Sequence, residues 1–461
     1  MTATAEQRTL RTRVRGYRDA GLVLSRFTFV ALRRGVLPSG LASLRVLVRE
    51  GRGDLHWKVL GDALARVLED AGPLATKLGQ ILATRTDLLP GALCARLEVL
   101  FERQRPMSGA RLERTLHEAY HGKPPFELEA KPLGVGSVGQ VHRARLAGGE
   151  KVVVKVLRPG VALAIERDLH AARVLLPFVV PLAFRGTRGA ETDPGLARRL
   201  LERALGDLAA GFRRETDLRA EGDTLVEFRK RLQRNPRVVV PLCHRDLCRP
   251  GVLVMEALEG ESLASFRERA KSDPEAAKRI ASLALKELLQ QVFEDGRFHA
   301  DPHAGNLLLL PDGRLGLVDL GLTAEFGPAQ RTAITQAVRA FLARDPARVI
   351  RALLALGATP PTFQSGAFEK DVLAAVGAPS ETGPNRLERL VNDLLAVARR
   401  HEVEIPESTT LLVKALVTIE GVARSLDPDL DLARAALPVI IHALRPRWLD
   451  KLAFWRKTPR G

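Results

Sequence analysis

The stretch FHADPHAGNLLLLPDGRLGLVDLGL, residues 298–322, restricts what this chain can fold into more than any other. It packs two histidines, one asparagine and three aspartates around two apolar runs. The segment LLLLPDGRLGLVD reads as a β-hairpin that carries Asp319 back beside Asn306. His299, Asp301 and His303 alternate in a pattern that would suit zinc, but Pro302 and Gly305 break a strand there. No further His/Cys/Asp cluster supplies a convincing fourth ligand.

A Gly-rich turn, a hairpin and a Val-rich strand are expected earlier, in KPLGVGSVGQVHRARLAGGEKVVVKVLRPGV (131–161). Long helical patterns follow, the clearest over 195–232, then two strands and a turn over 237–260. From about Ser262 the chain reads as helical except around the opening stretch. The expected fold is α+β, a small β-containing lobe followed by a helical lobe. The expected divisions are a basic helical extension at 1–58, a helical module at 59–125, the small lobe with a helical insert at 126–260, and a helical lobe at 261–461.

Phosphoryl transfer needs a phosphate cradle, a cation on the phosphates, metal ligands and an acidic group near the acceptor. The cradle candidate is GVGSVGQV, with Gly134, Gly136, Ser137 and Gly139; glycine lets backbone N–H groups approach phosphate oxygens, and the same residues also fit a tight hairpin. Lys155 stands sixteen residues after Gly139 in VVVKV, where an ammonium is costly unless paired or snorkelling at an edge. Glu215, Asp217 and Glu221 are the carboxylates available to it, expected on one helix. Asp301 precedes Asn306 by five residues, and Asp319-Leu320-Gly321 begins thirteen later. That is the protein-kinase spacing of a catalytic-loop aspartate, a metal-binding asparagine and a DFG-type aspartate. Asp301 would orient the acceptor and take its proton, and Asn306 and Asp319 would hold Mg²⁺ through oxygen. HRDL at 244–247 is a decoy, since Gly251 stands where Asn should be. VLVMEALEG fits a hinge, with Glu256 C=O and Leu258 N–H for adenine and Met255 as gatekeeper or as a plain core residue.

These residues resemble the UbiB/AarF family of atypical kinases linked to coenzyme Q (ubiquinone). KLGQILATRTDLLP (77–90) is similar to its KxGQ signature, through Lys77, Gly79 and Gln80. ETD at 215–217 is similar to its ExD signature, and FHADPHAGN with VDLG to its catalytic loop and metal-binding aspartate. The resemblance implies a protein-kinase-like two-lobe fold with a helical KxGQ extension over the active site, and ATP or ADP bound with Mg²⁺. It makes Lys155 the nucleotide lysine and Glu221 its partner, and sets Glu215 and Asp217 against Lys77 and Gln80 as a regulatory contact. This chain departs from the family in having Gly134 and Gly136 in a loop that is usually Ala-rich, Ala304 for Pro, and Leu320 for the Phe of DFG.

The net charge is +17, which suits anionic partners. No zinc-finger spacing or aromatic-interleaved basic motif accompanies it, so no nucleic acid is expected. The three cysteines, Cys94, Cys243 and Cys248, form no CxxC pair, as suits a reducing compartment. Neither a signal peptide nor a membrane-spanning run is evident. The expected location is therefore cytoplasmic, peripheral on the inner face of the cytoplasmic membrane through the basic, Trp-containing tail RPRWLDKLAFWRKTPRG. The expected partners are a nucleotide, a lipid or quinone-precursor ligand and an anionic membrane surface. The expected function is an ATP-dependent atypical kinase or ATPase in quinone or isoprenoid lipid metabolism. The alternatives are a nucleotide-binding scaffold without turnover and a small-molecule phosphotransferase. No Ala-Pro-Glu follows Asp319, which removes the usual docking segment for a protein substrate.

Overall fold

The computed structural model describes residues 106–183, 194–343, 345–357, 363–377 and 400–430 continuously, residues 91–97, and scattered positions between 58 and 83 and between 359 and 442. Residues 1–57 of the expected 1–58 extension and the tail from 443 onward lie outside the described residues, as does Gln80. Two compact units divide the chain. One holds residues 1–222 and 243–257, the other 223–242 and 258–461.

In the first unit, helices α1 (Gly91–Leu97) and α2 (Gly109–Tyr120) precede strands β1 (Phe126–Val135), β2 (Gly139–Leu146) and β3 (Lys151–Leu157). Helices α3 (Val161–Ala183), α4 (Pro194–Thr216) and α5 (Leu218–Leu232) follow, and α5 runs across the division between the units. Strand β4 (Val238–Val239) belongs to the second unit and β5 (Val252–Glu256) to the first. An antiparallel sheet orders β1-β2-β3-β5. Alternation on β3 explains the Val run: Val152, Val154 and Val156 are fully buried on one face, so Lys155 points to the other. The buried face packs with Val252 and Val254 of β5, Phe126, and Leu112 and Leu116 of α2. A second apolar cluster joins α3 and α4 through Ile165, Leu169, Leu208 and Phe212.

A buried polar relay fixes α2 to this sheet. Gln140 accepts from the Met107 amide at 2.8 Å and donates to His142 Nε2 at 2.7 Å; His142 Nδ1–H donates to the Glu129 carbonyl at 2.9 Å. Both side chains are almost wholly buried, so each polar atom needs such a partner.

The second unit continues with β6 (Glu261–Ser262), α6 (Leu263–Arg269) and α7 (Pro274–Gln290). Asp273 caps α7 by accepting from the Ala276 amide, with Pro274 in the first turn. The helix ends in a π-turn, Gln291–Asp295, and Gly296 at φ 75° leads into β7 (Arg297–His299). Strands β8 (Leu307–Leu309) and β9 (Leu315–Leu317) form the expected hairpin inside a sheet ordered β4-β9-β8-β6, while β7 pairs with β10 (Thr323–Glu325). Helices α8 (Pro328–Leu342), α9 (Pro346–Leu354), α10 (Ser365–Gly377) and α11 (Glu407–Leu426) complete the described elements. The fold is α+β with a helical majority.

Candidate active site

In the first unit, Lys155 leaves the half-buried face of β3, opposite its valines, and Glu221 leaves the first turn of α5. Lys155 Nζ donates to both Glu221 oxygens, at 3.0 and 2.8 Å. The side chains are 17% and 3% exposed, so the charges are largely withdrawn from water and hold one another in place.

The acidic residues do not share one helix as expected. Helix α4 ends at Thr216 with Glu215 in its last turn, and Asp217 interrupts it. Asp217 Oδ1 then accepts from the Ala220 amide at 3.0 Å, capping α5. The run ETDLRAE contains no Gly or Pro to mark this break, and its only sequence signal is an aspartate in a cap position. Lys77, in helical backbone, donates to Glu215 Oε1 at 2.8 Å. The two side chains are 35% and 37% exposed, which keeps the stabilisation from this pair under about 1 kcal/mol. Lys77→Ala is therefore expected to leave the melting temperature within about 3 °C of wild type. It should still change ATP turnover or the ATP-to-ADP preference, because the contact ends at Glu215, six residues before the partner of Lys155. A calorimetric and turnover comparison indistinguishable from wild type would reduce the pair to a surface contact.

At the β1–β2 turn the Gly136 amide donates to the Gly139 carbonyl at 2.8 Å, and Arg158 Nη2 donates to the Gly136 carbonyl at 3.3 Å. The turn is thus closed on itself, and the Gly136 N–H expected to face phosphate is engaged within it. Gly139 serves close strand packing, since an added methyl would stand 2.6 Å from the Val156 carbonyl. At Gly134 an added methyl meets nothing within 4 Å, and at Gly136 its nearest neighbour is 3.6 Å away, so alanine fits both positions. Ser137 lies within the turn, half-buried. At the hinge, Glu256 closes β5 opposite Val152, and the next amide, Ala257, donates to the Lys151 carbonyl at 3.1 Å. Met255 is buried and pairs across to Cys243.

In the second unit, β7 delivers the loop 299–306. His299 is buried, and burial pushes its imidazole pKa down, so the ring is neutral. Its amide donates to Gln291 Oε1 at 3.0 Å, and Gln291 Nε2 donates to Glu287 at 3.3 Å. Glu287, almost wholly buried and pushed up in pKa mainly by that burial, also accepts from Arg234 and Asn235. This relay anchors the start of the loop. Glu287 and Gln291 lie one turn apart in ELLQQ, a spacing that could have flagged them.

Asp301 opens the loop's turn. Its carbonyl accepts from the His303 amide at 2.8 Å and from Asn306 Nδ2 at 3.3 Å. The Val318 amide donates to the Asn306 carbonyl at 3.1 Å, so the hairpin returns Asp319 to within one residue of Asn306's ladder partner. Asp319 Oδ1 accepts from the Gly321 amide at 3.0 Å. Leu320 is buried, and Leu258 lies against Gly316, whose added methyl would be 3.1 Å from Leu258 Cδ1. With Nδ2 engaged, Asn306 presents its amide oxygen, and with Asp319 this makes a hard-oxygen donor set that fits Mg²⁺. Among the described residues no group of three or more His, Cys, Asp or Glu converges as a metal cluster. Mg²⁺ does not require one, since it takes one or two protein carboxylates with water and substrate phosphate.

A model of the ABC1 atypical kinase-like domain matches residues 100–353, and one of the UbiB helical domain matches residues 386–431. The probable protein kinase UbiB of Pseudomonas putida strain F1 is 31% identical over 439 residues, covering 91% of this chain and 78% of that protein. The protein of the same name from Marinobacter nauticus is 31% identical over 398 residues, covering 84% and 70%. Among solved structures, Rv3197 of Mycobacterium tuberculosis, in complex with erythromycin, is similar with a TM-score of 0.50 at 21% identity, over 76% of this chain and 88% of that one. That last likeness is one of fold.

Proposed function

This chain belongs to the ABC1 atypical kinase-like family, and we propose that it transfers the γ-phosphoryl group of ATP, Mg²⁺-dependently, to a lipid, quinone-precursor or water acceptor in ubiquinone-linked metabolism. The observation that carries the proposal is the Lys155–Glu221 pair, a nearly buried ammonium gripped by both oxygens of a helix carboxylate. Lys155 would bind the nucleotide phosphates, with Glu221 fixing its position. Asp301 would orient the acceptor hydroxyl and take its proton at a carboxylate oxygen. Asn306 and Asp319 would hold Mg²⁺, which when bound neutralises charge on the phosphates. Gly134, Gly136, Ser137 and Gly139 would cover the phosphates, and Glu256 and Leu258 would meet adenine. Helix α8 starts at Pro328, soon after the DFG-type triplet, which leaves little segment for a protein substrate and favours a small acceptor.

A scaffold without turnover is the second reading. The engagement of the Gly136 amide by Gly139 favours it, because a closed turn offers phosphate fewer donors. No described helix is long and apolar enough to cross a membrane. Association with an anionic lipid surface would then fall to the basic tail, which lies outside the described residues.

Titration calorimetry with ATP and ADP, with and without Mg²⁺, tests the proposal on wild type and Lys155→Ala. We expect Mg²⁺-dependent binding that weakens at least about tenfold in the variant, a loss near 1.4 kcal/mol. Equal affinity in the two proteins would remove Lys155 from the site.

A further inference from the structure

Asp301 has a partner from the far end of the chain. Lys414 Nζ stands 3.1 Å from Asp301 Oδ1, both within the second unit. Lys414 belongs to α11, which buries Leu412, Ala415, Ile419, Val422, Ala423 and Leu426 as one stripe and packs on α7. Gln330 Nε2 of α8 also donates to Ser408 Oγ in the first turn of α11, at 3.2 Å. The helix is thus anchored by its apolar stripe, and Lys414 beside that stripe is delivered to the loop rather than wandering to it. The side chains of Lys414 and Asp301 are 49% and 33% exposed, too open for the pair to serve chiefly as a stability device.

The loop itself lacks a permanent cation. HADPHAGN, residues 299–306, contains no lysine or arginine. His299 is buried and neutral, and His303 Nδ1 accepts from the Gly305 amide. A phosphoryl group in flight spreads negative charge over its three equatorial oxygens, and a fixed positive charge beside it is a large source of rate. An ammonium has three donors, so the one that meets Asp301 leaves others for phosphoryl oxygens.

We propose that Lys414 is the missing cation: α11 lends the loop a positive charge that holds Asp301 and contacts the γ-phosphoryl oxygens of ATP. This rests on the phosphotransfer reading above. In the step, the acceptor O–H gives its proton to Asp301, and the acceptor oxygen's lone pair forms the new bond to the γ-phosphorus. The bond from that phosphorus to the β–γ bridging oxygen breaks, its electron pair leaving on ADP. Lys414 keeps its protons throughout.

Lys414→Met and Lys414→Arg, measured beside wild type with MgATP and MgADP, test this. In the Met variant, ATP affinity should fall about tenfold while ADP affinity stays within about twofold, because only ATP carries the γ-phosphoryl. Its kcat should fall on the order of 100-fold, as when one preorganised donor is removed from an oxyanion site. The Arg variant should recover most of the ATP affinity, and all three proteins should share one melting curve. ATP affinity unchanged in Lys414→Met overturns the proposal and leaves the phosphotransfer reading standing. Equal loss of ATP and ADP with a lowered melting curve overturns it in favour of a structural pair. Wild type that binds neither nucleotide overturns both readings.

Discussion

Glu221→Ala is expected to destabilise the protein by about 3–5 kcal/mol, lowering the melting temperature on the order of 10 °C. The variant leaves the Lys155 ammonium in a site where it is only 17% exposed and its former partner was 3% exposed. Without that carboxylate the ammonium must draw in water, lean harder on its remaining contacts or pull the strand away from α5, and each route costs free energy. The Coulomb attraction itself is not what is lost in full, since forming the pair required removing both groups from water. A Lys155→Met/Glu221→Leu double variant removes both charges and should regain most of the stability while binding nucleotide at least about tenfold more weakly than wild type. Differential scanning calorimetry of the three proteins separates the effects. A Glu221→Ala melting temperature equal to wild type would mean that Lys155 finds water or another partner without cost. The pair would then be an ordinary surface contact, not a pre-set phosphate grip.

What could be read in advance follows from how local each signal is. The β8–β9 hairpin was legible because an apolar run, Pro-Asp-Gly and a second apolar run lie within thirteen residues, and that is enough to bring Asp319 back towards Asn306. The Val run of β3 was legible as a strand, and period-two alternation then fixes that Lys155 faces away from Val154 and Val156. The break at Asp217 was not, because a helix can be interrupted by a single capping side chain with no glycine or proline. Gln140 and His142 carry no such signal, because polar residues two apart on a strand look like a solvated face; their burial depends on Met107 and Glu129, which lie elsewhere in the chain. The Lys77–Glu215 contact was expected from family resemblance, not from spacing. The Lys414–Asp301 contact had no signal of either kind, since one lysine on a long amphipathic helix is ordinary until the helix is docked.

Asp319→Asn is expected to lower Mg²⁺-dependent ATP turnover by about 100-fold or more while leaving the fold intact. The fold should survive because asparagine retains Oδ1, the atom that accepts from the Gly321 amide, and so preserves the turn that follows β9. What it removes is the formal charge. A divalent cation held by a carboxylate and an amide oxygen keeps its geometry with two amide oxygens but loses most of its attraction, and Mg²⁺ gives up water reluctantly to a neutral ligand. The Mg²⁺ concentration for half-maximal ATP binding should therefore rise, whereas Mg²⁺-free binding should change little. Circular dichroism and the melting curve should match wild type. These two binding readouts hold even under the scaffold reading, where no turnover exists to be lost. An Asn variant with wild-type turnover and wild-type Mg²⁺ dependence would mean that the hairpin returns Asp319 to Asn306 for structural reasons alone, and the metal assignment would fall with it.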